Sequence, residues 1–358
     1  MAKKEKKSDT DTPIEEVTTN IEGIEENAAD LKKIKAQETV SKKLEKKILK
    51  LQDYKAKHKF PELKYKPTDW IDMSPAFKEV TSLNGLPQGH IIMCYGRPDT
   101  GKSTMAMEAA AFAQKQGIIP VFIITENKFS FERAENMGIN FEQAIVHNGV
   151  QTIEEGCLAI KQILDSQEKG ELPYDVIFIW DSVGSTPSKA ELAKRESEDL
   201  GGGMMVTARV IAEQIGRYIG HRINGTRMEN YPYNATLFVV NQAYVSPPNP
   251  PATVSSIKPK GGESFGYTAT LIFRIGGVLS NSSKVTATKD GVQIGFAIKS
   301  ALIVDKNHLT NITPKGTIIC TDHGFIRDDK ESIEEYKKQT KDGWNLSYDK
   351  NWNYVSED

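Results

Sequence analysis

The sequence is poor in cysteine. Cys94, Cys157 and Cys320 are its only three in 358 residues, and no two form a C-x-x-C pair. That spacing argues against a disulfide framework and against a cysteine zinc site, and it suits a reducing compartment. An excess of one charge is missing too: 46 Lys and Arg stand against 48 Asp and Glu, a formal net charge of -2. A chain so balanced is not basic as a whole, so any surface for nucleic acid has to be a local patch. No apolar run approaches the ~20 residues of a membrane-spanning helix. The lysine-rich start, Met1 to Lys7, lacks the apolar stretch of a signal peptide. The expectation is a soluble, cytoplasmic protein with no membrane partner.

What the sequence does hold is Gly96-Arg97-Pro98-Asp99-Thr100-Gly101-Lys102-Ser103, which fits G-x-x-x-x-G-K-[ST] at every fixed position. The apolar run His90 to Tyr95 precedes it at strand length, and the Ala-rich run Thr104 to Gln116 follows it with helix-favouring residues. A phosphate-binding loop needs that placement. Its glycines let successive N–H groups point at phosphate oxygens, and the helix N-terminus adds partial positive charge. Lys102 is expected to reach the β- and γ-phosphates, Ser103 to ligate Mg²⁺, and Thr104 to lie near the α-phosphate. Gly96, Asp99, Thr100 and Gly101 complete the nucleotide-binding set.

The chain is long enough for one large domain with appendages. Residues 1–29 are polar with almost no large apolar side chains, which predicts a disordered tail. Over residues 30–67, Val40, Leu44, Ile48, Leu51 and Tyr54 recur at steps of four or three among lysines. This is the pattern of an amphipathic helix, and Phe60 to Pro67 reads as a linker after it. The apolar stripe has to bury on the protein's own core or on a neighbouring subunit. Across 68–309, apolar strands near 120–125, 175–180, 235–240, 270–275 and 300–305 alternate with helices over 132–138, 152–168 and 204–223. Asp290-Gly291 marks a hairpin turn. The fold class is α/β, a mainly parallel sheet with helices on both faces and an antiparallel hairpin extension. Residues 310–358 read as a small C-terminal extension. It has a turn at Asp322-His323-Gly324 and a helix over 332–341, and Trp344, Tyr348, Trp352 and Tyr354 are expected to pack on the core.

Three polar residues end core strands, where ligands gather in such sheets. Asp181 follows the apolar run Val176 to Trp180, the position of a Mg²⁺-associated Asp in P-loop proteins. Glu126 ends the strand 120–125 and is placed to orient or deprotonate the attacking water. Gln242 ends the strand 235–240, where its amide can distinguish ATP from ADP. Taken in this order after a phosphate loop, they point to an ATPase rather than a passive nucleotide binder.

The loop Tyr95 to Ser103, Glu126, the run Val176 to Val183, the pair Asn241-Gln242 and Lys260-Gly261-Gly262 together resemble the RecA family of strand-exchange ATPases. The entry Gly85-Leu86-Pro87-Gln88-Gly89-His90-Ile91 is similar as well. The likeness spans roughly residues 70–308, and the divergent flanks are closer in style to bacteriophage recombinases of the T4 type. It implies a RecA-like P-loop ATPase core with ATP and Mg²⁺ as cofactors. Glu126, Lys102, Asp181 and Gln242 would carry hydrolysis, with Ser103 and Asp181 at the metal. It also implies binding of single- and double-stranded DNA, self-association into a helical filament, and single-strand-binding and loader proteins as accessory partners. A ring-forming helicase or DNA motor on the same core is the alternative.

Two loops would hold the single strand. The first, about Ser185 to Met205, carries Lys194 and Arg195, and Arg209 matches an Arg that contacts the DNA backbone. The second, Ala243 to Gly262, carries Lys258, Lys260, Gly261 and Gly262 for phosphates, with Tyr244 or Ile257 to wedge between bases. Gln242 would let ATP order that second loop. In the filament a neighbour supplies cations to the γ-phosphate, and here Lys306 matches the first of them. Three departures stand out. His308 replaces a second Lys or Arg and is mostly uncharged at neutral pH. Pro247-Pro248-Asn249-Pro250-Pro251 stiffens the second loop. The adenine-stacking aromatic aligns with Arg133, with Phe131 nearby.

Overall fold

The computed structural model describes residues 19–58, 66–196, 203–246, 256–261, 263–277, 284–289 and 291–340. Expectations for residues 1–18, for Pro247 to Pro251, for Gly262, and for Trp344, Tyr348, Trp352 and Tyr354 lie outside the described residues. The chain divides into two units, Met1–Leu63 and Lys64–Asp358.

In the first unit one helix, α1 (Thr19–Lys57), runs for 39 residues. It begins within the segment that composition predicts to be a disordered tail. The residues from Ile21 to Ala29 are mostly Glu, Ala and Ile, so their polarity does not oppose a helix. The stripe lies on this helix as the spacing predicts, and Val40, Leu44, Ile48, Leu51 and Tyr54 are all exposed.

In the second unit a short strand pair frames the entry: β1 (Trp70–Ile71) and β2 (Leu86–Pro87), with α2 (Pro75–Thr81) between them. The core then alternates: β3 (Ile91–Gly96), α3 (Lys102–Lys115), β4 (Ile119–Ile124), α4 (Phe131–Asn136), β5 (Ile145–Asn148), α5 (Ile153–Glu168) and β6 (Val176–Asp181). After β6 come α6 (Lys189–Glu196) and α7 (Gly203–Ile211). A π-helical stretch, Ala212–Ile219, carries α7 on into α8 (Gly220–Gly225). The chain continues with β7 (Ala235–Ser246), β8 (Ser256–Pro259), α9 (Glu263–Thr268), β9 (Leu271–Gly277), β10 (Lys284–Lys289) and β11 (Val292–Asn307). It closes with β12 (Lys315–Thr321), β13 (Gly324–Arg327) and α10 (Lys330–Gln339).

One sheet takes the order β13-β12-β11-β9-β3-β7-β6-β4-β5. From β9 to β5 every pairing is parallel, whereas β11, β12 and β13 add on in antiparallel fashion. The fold is thus RecA-like α/β with an antiparallel extension. Alternate residues of each central strand feed opposite faces. On β3, Ile92 and Cys94 pack with Met105, Ala109 and Ala113 of α3, while Ile91 and Met93 pack with Ile160 of α5 and Ile219. Burial on both faces is why these strands read as unbroken apolar runs. It leaves only their carboxyl ends free to carry polar chemistry.

Two expectations change here. The second loop does not leave the sheet at Gln242. β7 runs on to Ser246 and pairs antiparallel with β8, so that Tyr244 faces Lys258 and Val245 faces Ile257. Tyr, Val and Ile favour strands, and this cross-strand pairing outweighs the turn signal of the prolines. The C-terminal segment is also more than an appendage, since β12 and β13 extend the main sheet.

Buried Glu108 ties α3 to both ends of the unit. One of its carboxylate oxygens accepts from the Ser74 N–H at 3.2 Å, and the other from the Phe325 N–H at 2.7 Å. Burial outweighs these bonds and pushes its carboxyl from 4.5 up to about 7. An acid raised in the folded state stabilises the fold fully below its unfolded value and loses that contribution as pH rises through the folded one. Between pH 4.5 and about 7, wild-type unfolding midpoints should therefore carry a falling component that the neutral Glu108→Gln variant lacks. Parallel curves for the two proteins would contradict it.

Candidate nucleotide site and its two loops

The phosphate loop sits between β3 and α3, and two close approaches fix its shape. Gly101 has φ +99°, and a Cβ there would overlap Cys320 Sγ on β12. A Cβ on Gly96 would overlap the Ile275 carbonyl of β9. From behind, the Ser300 hydroxyl donates to the Thr100 carbonyl at 2.8 Å. The loop is therefore braced by strands remote from it in sequence.

Inside the loop, Lys102 Nζ donates to its own Arg97 carbonyl at 2.5 Å. Burial lowers its pKa, while Asp181, Glu126 and Asp99 oppose the fall. Ser103 Oγ donates to Asp181 Oδ2 at 2.7 Å. Burial pushes the Asp181 carboxyl up to about 6 against that bond. A partly buried ammonium beside a hydroxyl–carboxylate oxygen pair fits a polyphosphate with a hard divalent cation, because hard cations take oxygen ligands. Gly96 to Ser103 would hold the phosphates, and Ser103 with Asp181 would hold Mg²⁺.

Glu126 follows β4 and gathers donors on its Oε1: Ser182 Oγ at 2.5 Å, Ser185 Oγ at 3.2 Å and Gln242 Nε2 at 3.4 Å. Gln242 is held in turn, because its Oε1 accepts from Lys260 Nζ at 2.6 Å and its carbonyl from the Lys260 N–H at 2.8 Å. Asn241 completes the clasp. Its Nδ2 donates to the Lys260 carbonyl at 2.8 Å, and its Oδ1 accepts from the Gln242 N–H at 2.8 Å. Hydrogen bonds thus connect the carboxylate at the phosphate loop to the far arm of the second loop. Lys260, expected on DNA, is engaged with Gln242 here.

The structure brings Lys102, Ser103, Glu126, Asp181 and Gln242 together at the carboxyl edge of the sheet. Thr104 is the third residue of α3, and Arg133 Nη2 donates to its Oγ1 at 2.8 Å and to the Thr321 carbonyl at 3.2 Å. Arg133 Nε also lies 3.1 Å from Asp322 Oδ1. Arg133 is thereby tied to the β12–β13 turn, an association that only the folded chain reveals. Phe131 is partly exposed and meets Phe129 and Phe141 edge-on.

The other candidates stand farther out on the sheet edge and loops. Lys306 Nζ caps α9, donating to the carbonyls of Gly266 at 2.8 Å and Ala269 at 2.6 Å. Burial lowers its pKa. Lys306 and His308 line one cleft with Tyr244 and Lys258. Lys194 and Arg195 lie on α6, inside the stretch expected to be a loop. Arg209 on α7 is exposed and pairs with Glu213 at 3.1 Å. Gly261 has φ +89°, which suits the turn after β8. A further group escaped the sequence reading. Tyr95, next to the phosphate loop, donates to Asp305 Oδ2 at 2.5 Å, and Arg274 Nε donates to the same oxygen at 2.9 Å. Only the pairing of β3 with β9 and of β9 with β11 brings these three together.

Compared with known proteins, residues 39–234 match the RecA N-terminal domain, more than half of the chain. The chain is 28% identical over 243 residues to the protein RecA of Desulforapulum autotrophicum, covering 66% of this chain and 60% of that one. It is 26% identical over 222 residues to the RecA of Lactococcus lactis subsp. cremoris, covering 62% and 52%. With the RecA of Mesoplasma florum the figures are 25% over 293 residues, 76% and 80%. The chain spans between half and three-fifths of the length of the first two relatives.

Proposed function

The chain belongs to the RecA family, and on that premise we propose that it is an ATP-dependent DNA recombinase. In this reading it forms filaments on single-stranded DNA and catalyses homologous pairing and strand exchange with DNA-dependent ATP hydrolysis. The divergent flanks favour a bacteriophage recombinase of the T4 type, at work in the cytoplasm of an infected cell.

Each step is assigned to residues of the chain. The turn Gly96 to Ser103 binds the triphosphate, with Lys102 on the β- and γ-phosphates and Arg133 or Phe131 at the base. Ser103 and Asp181 would hold Mg²⁺, which would supply charge neutralisation for the transferring phosphoryl group. Glu126 orients and deprotonates the attacking water. Gln242 reads the γ-phosphate and passes its state to Lys260 and the second loop. Arg209, Lys194, Arg195, Tyr244, Lys258, Lys260, Gly261 and Gly262 grip the DNA. Lys306 completes the site of a neighbouring subunit, and the exposed stripe of α1 buries on that neighbour.

One observation carries this reading: the path Glu126–Gln242–Lys260, which joins the hydrolytic carboxylate to a loop of DNA-binding character. A nucleotide that draws Gln242 to its γ-phosphate has to alter what Lys260 holds. Electron microscopy of the protein with single-stranded DNA and a non-hydrolysable ATP analogue tests the assembly. Helical filaments are expected. Closed rings would favour a helicase or motor, and the absence of any assembly would end the recombinase reading.

A further inference from the structure

Among the described residues, every hydrogen bond that Glu126 accepts falls on Oε1, and its donors have an instructive origin. Gln242 stands on β7, just before the part of that strand that pairs with β8 as the arms of the second loop. Ser185 closes a 3₁₀ turn, Val183–Ser185, at the root of the first. We propose that Ser185 is a positioning residue for Glu126, tying the carboxylate to the first loop as Gln242 ties it to the second. The proposal rests on the reading of Glu126 as the group that activates water.

Hydroxyl accounting supports it. Ser185 has one hydroxyl proton and three acceptors within reach: Glu126 Oε1 at 3.2 Å, Ser182 Oγ at 2.8 Å and the Ser182 carbonyl at 3.0 Å. The carbonyl is already served, by Thr186 Oγ1 at 2.8 Å and Thr125 Oγ1 at 3.1 Å. Two donors fill its lone pairs. The proton of Ser185 is left for the carboxylate, either directly or through Ser182 Oγ, whose own proton lies on Glu126 at 2.5 Å. A charged acceptor strengthens either route.

The same threonines hold the turn in place. Thr186 Oγ1 also lies 2.9 Å from Thr125 Oγ1, and Thr125 directly precedes Glu126. Ser185 and Thr186 line the cleft into which Glu126 opens. With Oε1 held by serine and glutamine donors, Oε2 is the oxygen left for water. A shift of the first loop moves residue 185 and changes how firmly Oε1 is held. DNA in that loop therefore acts on hydrolysis independently of Gln242.

The test compares Ser185→Ala, Ser185→Thr and Glu126→Gln in the full chain. It reads kcat and KM for ATP in DNA-stimulated hydrolysis, and single-stranded DNA affinity with a non-hydrolysable ATP analogue. Ser185→Ala should lower kcat about tenfold while KM and DNA affinity stay within about twofold. Ser185→Thr keeps the hydroxyl and should restore most of the rate. A Ser185→Ala kcat within about twofold of wild type overturns the proposal. So does a Ser185→Thr variant as slow as the alanine one, because bulk rather than the hydroxyl would then matter. Glu126→Gln separates the two layers. If it still turns over at the wild-type rate, the water-activating reading fails and this proposal with it. If it is inactive while Ser185→Ala is normal, only the role of Ser185 falls.

Discussion

Replacing Lys102 by alanine is expected to abolish ATP-dependent strand exchange. The Lys102 ammonium is partly buried, and it rests on the Arg97 carbonyl at 2.5 Å. Desolvation lowers its pKa, and the carboxylates of Asp181, Glu126 and Asp99 oppose that fall. In the proposed reading, removing it would leave the β- and γ-phosphates near the carboxylates of Asp181, Glu126 and Asp99 with the loop N–H groups alone. Loss of one such charge-stabilising group costs about 10²- to 10³-fold in rate. Nucleotide affinity should fall as well, so assembly driven by ATP fails together with hydrolysis. A joint-molecule assay with homologous DNA measures the outcome, and exchange retained by Lys102→Ala would refute the assignment of this loop.

Glu126→Gln should separate binding from turnover. The substitution keeps an oxygen to accept from Ser182, Ser185 and Gln242, so the local hydrogen bonds can persist. In the proposed reading it removes the group that takes the proton from water. General-base contributions run at about 10²- to 10⁴-fold, and hydrolysis should drop by that order. Nucleotide and DNA should still bind. With release proposed to depend on hydrolysis, complexes of this variant with DNA should outlast wild-type ones in the presence of ATP. Phosphate release and DNA dissociation, measured side by side, check both halves. Turnover within about tenfold of wild type would assign proton transfer to another group.

The parts of this site that were legible in the sequence share a physical cause. Strands buried on both faces admit polar residues only at their ends, so Asp181, Glu126 and Gln242 stand out against apolar runs. The phosphate loop is legible because its glycines and lysine are contiguous. What depends on distant pairing was not legible. Arg133 meets Thr321 and Asp322 across almost two hundred residues of sequence, and Tyr95 meets Asp305 only because β9 lies between their strands. The hairpin of β7 and β8 was hidden by its prolines, which signal a turn but do not say that strands flank it. Ser185 carried no signal at all, since a serine at the end of a short turn is ordinary until its hydroxyl is seen on Glu126. At the N-terminus α1 begins at Thr19, within a stretch whose polar composition suits a helix as well as a tail.

The central claim is that the nucleotide decides whether the chain grips single-stranded DNA, through Gln242 and the second loop. Fluorescence anisotropy of a labelled oligonucleotide tests it most directly, with the full chain titrated once with a non-hydrolysable ATP analogue and once with ADP. Coupling between two sites is typically worth about 5- to 150-fold in affinity. The account predicts at least tenfold tighter binding with the analogue, a difference that Gln242→Ala should erase. Equal affinity in the two nucleotide states would contradict it.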